Sequence, residues 1–290
     1  MRYLAPKSVE EAVQMLASTP DARVFAGATD LIPQFRAGRR EPGTIVDLKR
    51  VPRLMALARS NGTWAVGAAT PASDITVNAN FRADFPGLVE AAGLIGSDQI
   101  QSRASLGGNL CNASPAADTV PPMVVNGARA VLASKKGIRT VAVAEVCTGP
   151  GSTSLRPDEL LVELQLDRPP ARTGDAYLRF IPRTEMDIAV VGAAARITLD
   201  SNGRCTAATI ALGAVAPTVV RVPAAEQALV GSTLDKATLE AVAAAASAAC
   251  NPIDDKRGTK TYRRQVAGVL AKRAVLQAAE RARRRKGGRT

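Results

Sequence analysis

The run Ser105-Leu-Gly-Gly-Asn-Leu-Cys-Asn-Ala-Ser-Pro-Ala-Ala-Asp118 gathers small, polar and flexible residues in a pattern suited to holding a ligand. Gly107 and Gly108 follow a hydroxyl residue and precede two asparagines, a serine, a proline and an acid. Glycine tolerates positive φ and lacks a Cβ, so another group can approach its backbone closely. Successive turn N–H groups can then face one concavity and bind an anion such as a pyrophosphate. A tight structural turn is the other use of the same residues. A second glycine site, Phe25-Ala-Gly-Ala-Thr-Asp-Leu31, stands where a short strand is expected to meet a helix. There Gly27 can turn the chain, Ala28 leaves the backbone nearly bare, Thr29 offers a hydroxyl and Asp30 suits a helix N-cap. The free N–H groups of the helix start would face an anion.

Neither loop matches GxGxxG or GxxxxGK[ST], which disfavours a Rossmann domain and a P-loop ATPase. A pyrophosphate clamped between two subdomains remains. The chain has no histidine, so Ser-His-Asp and Cys-His nucleophilic machinery and imidazole metal ligands are excluded. Its four cysteines, Cys111, Cys147, Cys205 and Cys250, form no CxxC pair and suggest neither a zinc site nor a disulfide framework. Chemistry must come from a bound cofactor or from carboxylates, lysines and hydroxyls.

The elements around these loops follow from patterning. Ser8-Val-Glu-Glu11 reads as a capping box opening a helix with Ala12, Val13 and Leu16 on one face. Ala22 to Ala26 and Thr44 to Leu48 read as strands, with a helix from Asp30 to about Ala37 between them, an α/β unit. A second unit begins near Thr63, with helices near Pro71 and over Gly87 to Ile95, a polar strand-like segment over Gln99 to Arg103, and an apolar helix over Ala117 to Val125. Strands are expected at Val131 and over Leu160 to Leu166, with a loop from Thr148 to Arg156. Asp167 to Gly174 is the candidate linker. Beyond it three strands (Tyr177 to Ile181, Val190 to Leu199, Thr206 to Val215) precede helices over Ala224 to Val230, Leu234 to Cys250 and Thr261 to Arg285. Strands followed by helices indicate an α+β unit of its own.

With 290 residues, 46% of them hydrophobic, the chain can bury two or three cores. No apolar run approaches the roughly 20 residues needed to span a bilayer. The N-terminal residues show no secretory signal, so the cytoplasm is expected. The net charge of +12 resembles a nucleic-acid signal until it is localised. Residues 281–290 hold six basic residues and no acid, which reads as a solvated end. No basic-aromatic alternation of the kind that stacks single-stranded bases is visible, so no nucleic-acid partner is expected.

Ala26 to Leu31 together with Ser105 to Asp118 resembles the flavin-binding medium subunit of the molybdenum hydroxylases, the family of the xanthine dehydrogenase and carbon monoxide dehydrogenase flavoproteins. The similarity continues through Arg179-Phe-Ile-Pro-Arg-Thr-Glu-Met-Asp-Ile-Ala189, Pro252 to Gly258 and Tyr262-Arg263, and so covers almost the whole chain. It implies an α+β protein. A two-subdomain FAD-binding domain of the vanillyl-alcohol-oxidase (PCMH) type over 1–170, divided near 58, precedes a small domain over 175–285 of a three-stranded antiparallel sheet plus helices, with a basic tail at 286–290. It further implies non-covalent FAD between the first two subdomains, with Ala26, Gly27, Ala28, Thr29, Asp30 and Leu31 in one phosphate-facing loop and Ser105, Leu106, Gly107, Gly108 and Asn109 in the other. Ser114 would join the cofactor contacts, Asp118 would take a ribose hydroxyl, Ile95 and Leu161 would touch the ring systems, and Arg179 would supply a cation. Family members often carry two glycines in the first loop where this chain has Gly27-Ala28, tolerable if φ at Ala28 is negative.

The resemblance places [2Fe–2S] clusters on a small partner and the molybdopterin cofactor on a large one, in a dimer of heterotrimers. This chain would pass electrons from the clusters to an external acceptor. A stand-alone FAD-dependent oxidoreductase of related fold is the alternative. Arg183 and Asp187 read as an ion pair or interface contact, Cys111 as a packed thiol, and Asp254-Asp255 as a helix-entry turn. A valine at Gly107 is expected to project toward the phosphates and to cost flavin occupancy more than fold.

Overall fold

The computed structural model describes residues 1–38, 41–183 and 186–285. The basic tail at 286–290, and Thr184 and Glu185 within the third resembling segment, lie outside the described residues. The chain starts with β1 (Arg2–Leu4), α1 (Val9–Ser18), β2 (Ala22–Phe25), α2 (Leu31–Arg36) and β3 (Thr44–Asp47). The three strands form a parallel sheet in the order β1-β3-β2. The capping box forms: Ser8 Oγ accepts from the Glu11 N–H (3.1 Å), and Glu11 reaches back to the Lys7 N–H (2.6 Å). Val9, Ala12, Val13 and Leu16 of α1 are buried.

After α3 (Pro52–Met55), the strands β4 (Leu57–Ser60), β5 (Thr63–Gly67), β6 (Arg129–Ser134), β7 (Gly137–Ala142) and β10 (Leu160–Asp167) make a five-stranded antiparallel sheet ordered β4-β5-β10-β6-β7. Central β10 is buried on both faces, which accounts for its near-continuous apolar sequence. Between β5 and β6 run α4 (Ala72–Val77), α5 (Ala79–Asp84), α6 (Pro86–Gly93), α7 (Asp98–Gln101), α8 (Leu106–Asn112) and α9 (Val120–Val125). Two expectations change here. Gln99 to Arg103 is not strand-like: α7 closes one helical turn, with Gln101 N–H on Ser97 O (2.8 Å) and Gln101 Nε2 on Gly93 O (2.9 Å). A polar four-residue turn offers no periodicity to read, and this tertiary contact decides it. The loop expected over Thr148 to Arg156 carries a small hairpin, β8 (Cys147–Gly149) and β9 (Ser152–Thr153).

The remainder is an antiparallel sheet ordered β11-β12-β13-β14, covered by helices. Its strands are β11 (Thr173–Phe180), β12 (Val191–Leu199), β13 (Cys205–Gly213) and β14 (Val220–Arg221); the helices are α10 (Pro223–Leu229), α11 (Lys236–Ala249) and α12 (Lys260–Arg284). The three long strands match the expectation, and β14 adds a two-residue fourth at the edge. Small residues let α12 lie close on this sheet: Ala267, Ala271, Ala274, Ala278 and Ala282 are fully buried, and a methyl on Gly174 would overlap the Ala278 carbonyl. Asp254 and Asp255 build the entry to α12, accepting from the N–H groups of Lys260 (2.6 Å) and Arg257 (2.8 Å).

The positive end of α12 is not simply solvated, as its composition suggested. Arg281 forks onto Glu90 of α6 and donates to Asp175 O (2.8 Å). Arg285 reaches Asp84 Oδ1 (2.5 Å), a buried carboxylate that also accepts from Trp64 Nε1 (2.8 Å) and faces Arg59 and Arg168. Burial opposes ionisation of Asp84, but the Trp64 N–H and Arg285 outweigh it and hold the carboxyl below its ordinary value. A depressed folded-state pKa gives stability that is present above the unfolded value and lost as pH falls through the folded one. Asp84→Asn is therefore expected to lower unfolding free energy near neutral pH by about 3 kcal/mol, since it strips a buried pair of its charge. Urea titrations should show the gap to wild type closing below about pH 4, the ordinary carboxylate range. An equal gap at both pH values would remove Asp84 as the acid-sensitive tie.

Candidate functional site

A cavity of about 1060 Å³ separates the parallel sheet from the antiparallel one. Both glycine sites line it. Of the residues expected from the sequence, Ala26, Gly27, Ala28, Thr29, Asp30, Leu31, Ile95, Ser105, Gly107, Gly108, Asn109 and Leu161 stand on its wall. Leu106, Ser114, Asp118 and Arg179 do not.

The first loop is set from behind. Lys49 Nζ donates to Ala26 O (3.0 Å) and to Asp47 Oδ1 (2.8 Å) and lies 4.2 Å above the Phe25 ring. Tyr3 OH holds the other Asp47 oxygen (2.5 Å). Beyond Ala26, the N–H groups of Ala28, Thr29 and Asp30 meet no protein acceptor among the described residues, so three consecutive donors border the cavity. The Asp30 side chain makes no capping bond to α2, contrary to expectation, because its backbone is already helical (φ −99°, ψ −39°). Ala28 also departs from expectation, with φ at +56°. A left-handed alanine costs roughly 1–2 kcal/mol.

The second loop proves to be a helix start. Ser105 is the N-cap of α8, accepting on Oγ from the Gly108 N–H (3.0 Å), and neither glycine has positive φ. Their value lies in missing side chains. A Cβ on Gly107 would overlap the Ala68 carbonyl at the end of β5, so a larger residue there strikes the fold itself and would not project toward a ligand. Gly108 is exposed on the cavity, and its Cβ would meet only Ser105 Oγ, at 3.1 Å. Asn109 is anchored through Oδ1, which accepts from Thr119 Oγ1 (2.6 Å). The two loops also touch: Gly27 lies flat against the Arg103–Ala104 peptide, and any Cβ there would overlap it.

Ser114 caps its own turn, accepting from the Ala116 N–H (3.3 Å). Leu106 is wholly buried core. Asp118 accepts from Tyr177 OH (2.7 Å) and Arg179 Nη1 (2.9 Å), so its carboxylate joins β11 to the first domain behind the cavity wall. Burial pushes its carboxyl upward, against the pull of Arg179 and Tyr177. Arg179 also donates to Leu94 O (3.0 Å), fixing the turn that presents Ile95. Leu161 sits where the pairing of β10 with β6 shifts register, a bulge that re-aims side chains at the wall.

On the far wall the sequence pointed to Leu161, but not to Leu155, Arg156, Pro157, Glu159 and Leu160 beside it. Arg139 forks onto Glu159 (2.6 and 2.7 Å), and with the Arg156 N–H (2.7 Å) it keeps that carboxyl below its ordinary value. A charged pair flanking an apolar strand was the available signal. Cys111 is exposed on the cavity, where desolvation by the surrounding wall and nearby Cys147 push its thiol up to about 12.

Two family models divide the chain. Residues 1–169 match the FAD binding domain in molybdopterin dehydrogenase, and residues 176–278 match the CO dehydrogenase flavoprotein C-terminal domain. The chain belongs to the FAD-binding medium subunits of the molybdenum hydroxylases. It is 33% identical to the 6-hydroxypseudooxynicotine dehydrogenase complex subunit alpha of Paenarthrobacter nicotinovorans, over 97% of this chain and 95% of that one. It is 30% identical to the xanthine dehydrogenase FAD-binding subunit of Escherichia coli, over 95% of each. A solved carbon monoxide dehydrogenase from Hydrogenophaga pseudoflava, lacking the Mo-pyranopterin moiety of its cofactor, superposes with a TM-score of 0.93 at 35% identity over 97% of this chain and 98% of that one. The cavity suits the family's cofactor: it is apolar at Ile95, Leu155 and Leu161 and bordered by unused donors.

Two substitutions separate the glycine roles. Gly108→Ala is expected to weaken FAD binding at least several-fold, measured by flavin fluorescence titration, with apoprotein melting nearly unchanged. Gly107→Ala is expected to lower apoprotein stability by about 1–3 kcal/mol, the cost of overpacking. Ala28→Gly should relieve the left-handed strain and raise stability by roughly 1 kcal/mol; a lower melting temperature would contradict the backbone assignment.

Proposed function

We propose that this chain is the FAD-carrying electron-transfer subunit of a heterotrimeric molybdenum hydroxylase. It takes electrons from [2Fe–2S] clusters on a small partner subunit and passes them to an external acceptor. A large subunit holds the molybdopterin cofactor, and the assembly is a dimer of heterotrimers. The observation that carries this reading is the pair of loops at 26–31 and 105–109 converging on one cavity in a chain whose relatives are named as subunits of complexes. When bound, FAD supplies storage and transfer of electrons, chemistry that no side chain here can perform.

The chain's own residues bind and orient. The N–H groups of Ala28, Thr29 and Asp30 donate to the pyrophosphate, with Gly108 keeping the approach open from the α8 side. Ile95 and Leu161 exclude water from the ring systems, while Asp118 and Arg179 act one layer behind by fixing Leu94 and thus Ile95. No group of three or more metal-ligating side chains occurs among the described residues, and the four cysteines are dispersed, which supports placing the clusters on a partner.

The purified chain should be yellow and release FAD on denaturation. Co-expressed with iron–sulfur and molybdenum subunits, it should copurify with both. Substrate-dependent reduction of its flavin should need all three chains. Turnover of a donor by this chain alone, with no metal present, would instead establish the stand-alone oxidoreductase.

A further inference from the structure

The helix α2, on one side of the cavity, is loosely held. Leu31, Gln34 and Phe35 of α2 line the cavity, yet none of the six residues of α2 is buried, and α2 packs extensively on no other element among the described residues. Its N-terminus hangs from Ala28, a left-handed joint, and Asp30 provides no cap. Opposite stands the end of α8. It is firmly seated, with Leu106, Gly107 and Leu110 buried, and Gly151 N–H on the β8–β9 hairpin donates to Ala113 O (3.0 Å). Among the described residues one side-chain bond crosses from the loose wall to the firm one: Gln34 Nε2 donates to Asn112 Oδ1 at 2.9 Å, half-buried, between residues 78 apart in sequence.

We propose that α2 is a lid over the cofactor cavity, hinged at Ala28, and that the Gln34–Asn112 hydrogen bond is the clasp that keeps it shut. The inference rests on the FAD reading. A helix of six residues is about 9 Å long, enough to cover the middle of a dinucleotide but too short to hold itself closed without a tether. The clasp asks nothing of the cofactor: both partners are side chains of this chain, one from each side. Entry and loss of FAD then require this hydrogen bond to open and α2 to move off α8 together with the Thr29 and Asp30 donors, both sheets staying in place.

The test is the rate of FAD release from the full chain, followed by loading with radiolabelled FAD and chasing with excess unlabelled FAD. Gln34→Ala and Asn112→Ala are each expected to speed release about 2- to 10-fold, the span of one net hydrogen bond. The double variant should be no faster than the faster single, because both remove the same bond. The exchanged pair Gln34→Asn with Asn112→Gln conserves the combined reach and should return release toward the wild-type rate. Single variants that release FAD at the wild-type rate, a double variant whose effect is the product of the singles, or an exchanged pair as fast as the double would each overturn the clasp. Should a single variant fail to fold, the exchanged pair decides alone by the same rate. A wild-type chain that folds but retains no FAD would overturn the cofactor reading itself, a result distinct from unchanged rates.

Discussion

Everything at the site depends on one backbone-to-backbone approach, Gly27 against the Arg103–Ala104 peptide. It is the point where the parallel sheet's loop meets the segment leading into α8. Because neither side offers a side chain, the two walls come within van der Waals distance while their donors stay free to face the cavity. Gly107 against Ala68 repeats the device one layer deeper, seating α8 on the end of β5. The missing Cβ of Gly27 sets how closely the two loops approach, and that of Gly107 sets the seat of α8. The remainder of the wall, from Ile95 to the β10 bulge, is arranged around that spacing.

Much of this was legible because it is local. Ser8 announces a helix start through its own side chain and caps as its spacing suggests, whereas Ser105, read within a loop, turns out to cap α8 in the same way. The buried run of β10 and the alternating strands of the last sheet follow from which faces are covered. Gly27 was legible as a turn and Gly107 as a close-approach residue facing a ligand, but what approaches them comes from 103–104 and 68, and no local pattern carries that. Ala28 was misread for the complementary reason. A Cβ argues against left-handed φ, yet the joint is imposed by loop closure around Gly27. Asp118 looked like a free acceptor, and only the arrival of β11 with Tyr177 and Arg179 shows its oxygens engaged.

Charge tells a similar story of local pattern overruled by tertiary contact. The basic end of the sequence suggested a solvated tail or an anionic partner. Arg281 and Arg285 instead fold back on Glu90 and Asp84, and Arg59 and Arg168 face the same Asp84 carboxylate. Four arginines therefore share two carboxylates at this seam, which places positive charge there without lowering the net charge of the chain.

That seam also orders the protein's own making. Arg285 donates to the carbonyl of Ala83, 202 residues earlier, and to Asp84 beside it. A growing chain exposes the parallel sheet, both glycine loops and the five-stranded sheet long before α12 leaves the ribosome, and domains fold as units during synthesis with the N-terminal one first. The cofactor cavity can therefore form while the rest is still being translated. Docking of α12 then closes a loop of 202 residues between Ala83 and Arg285.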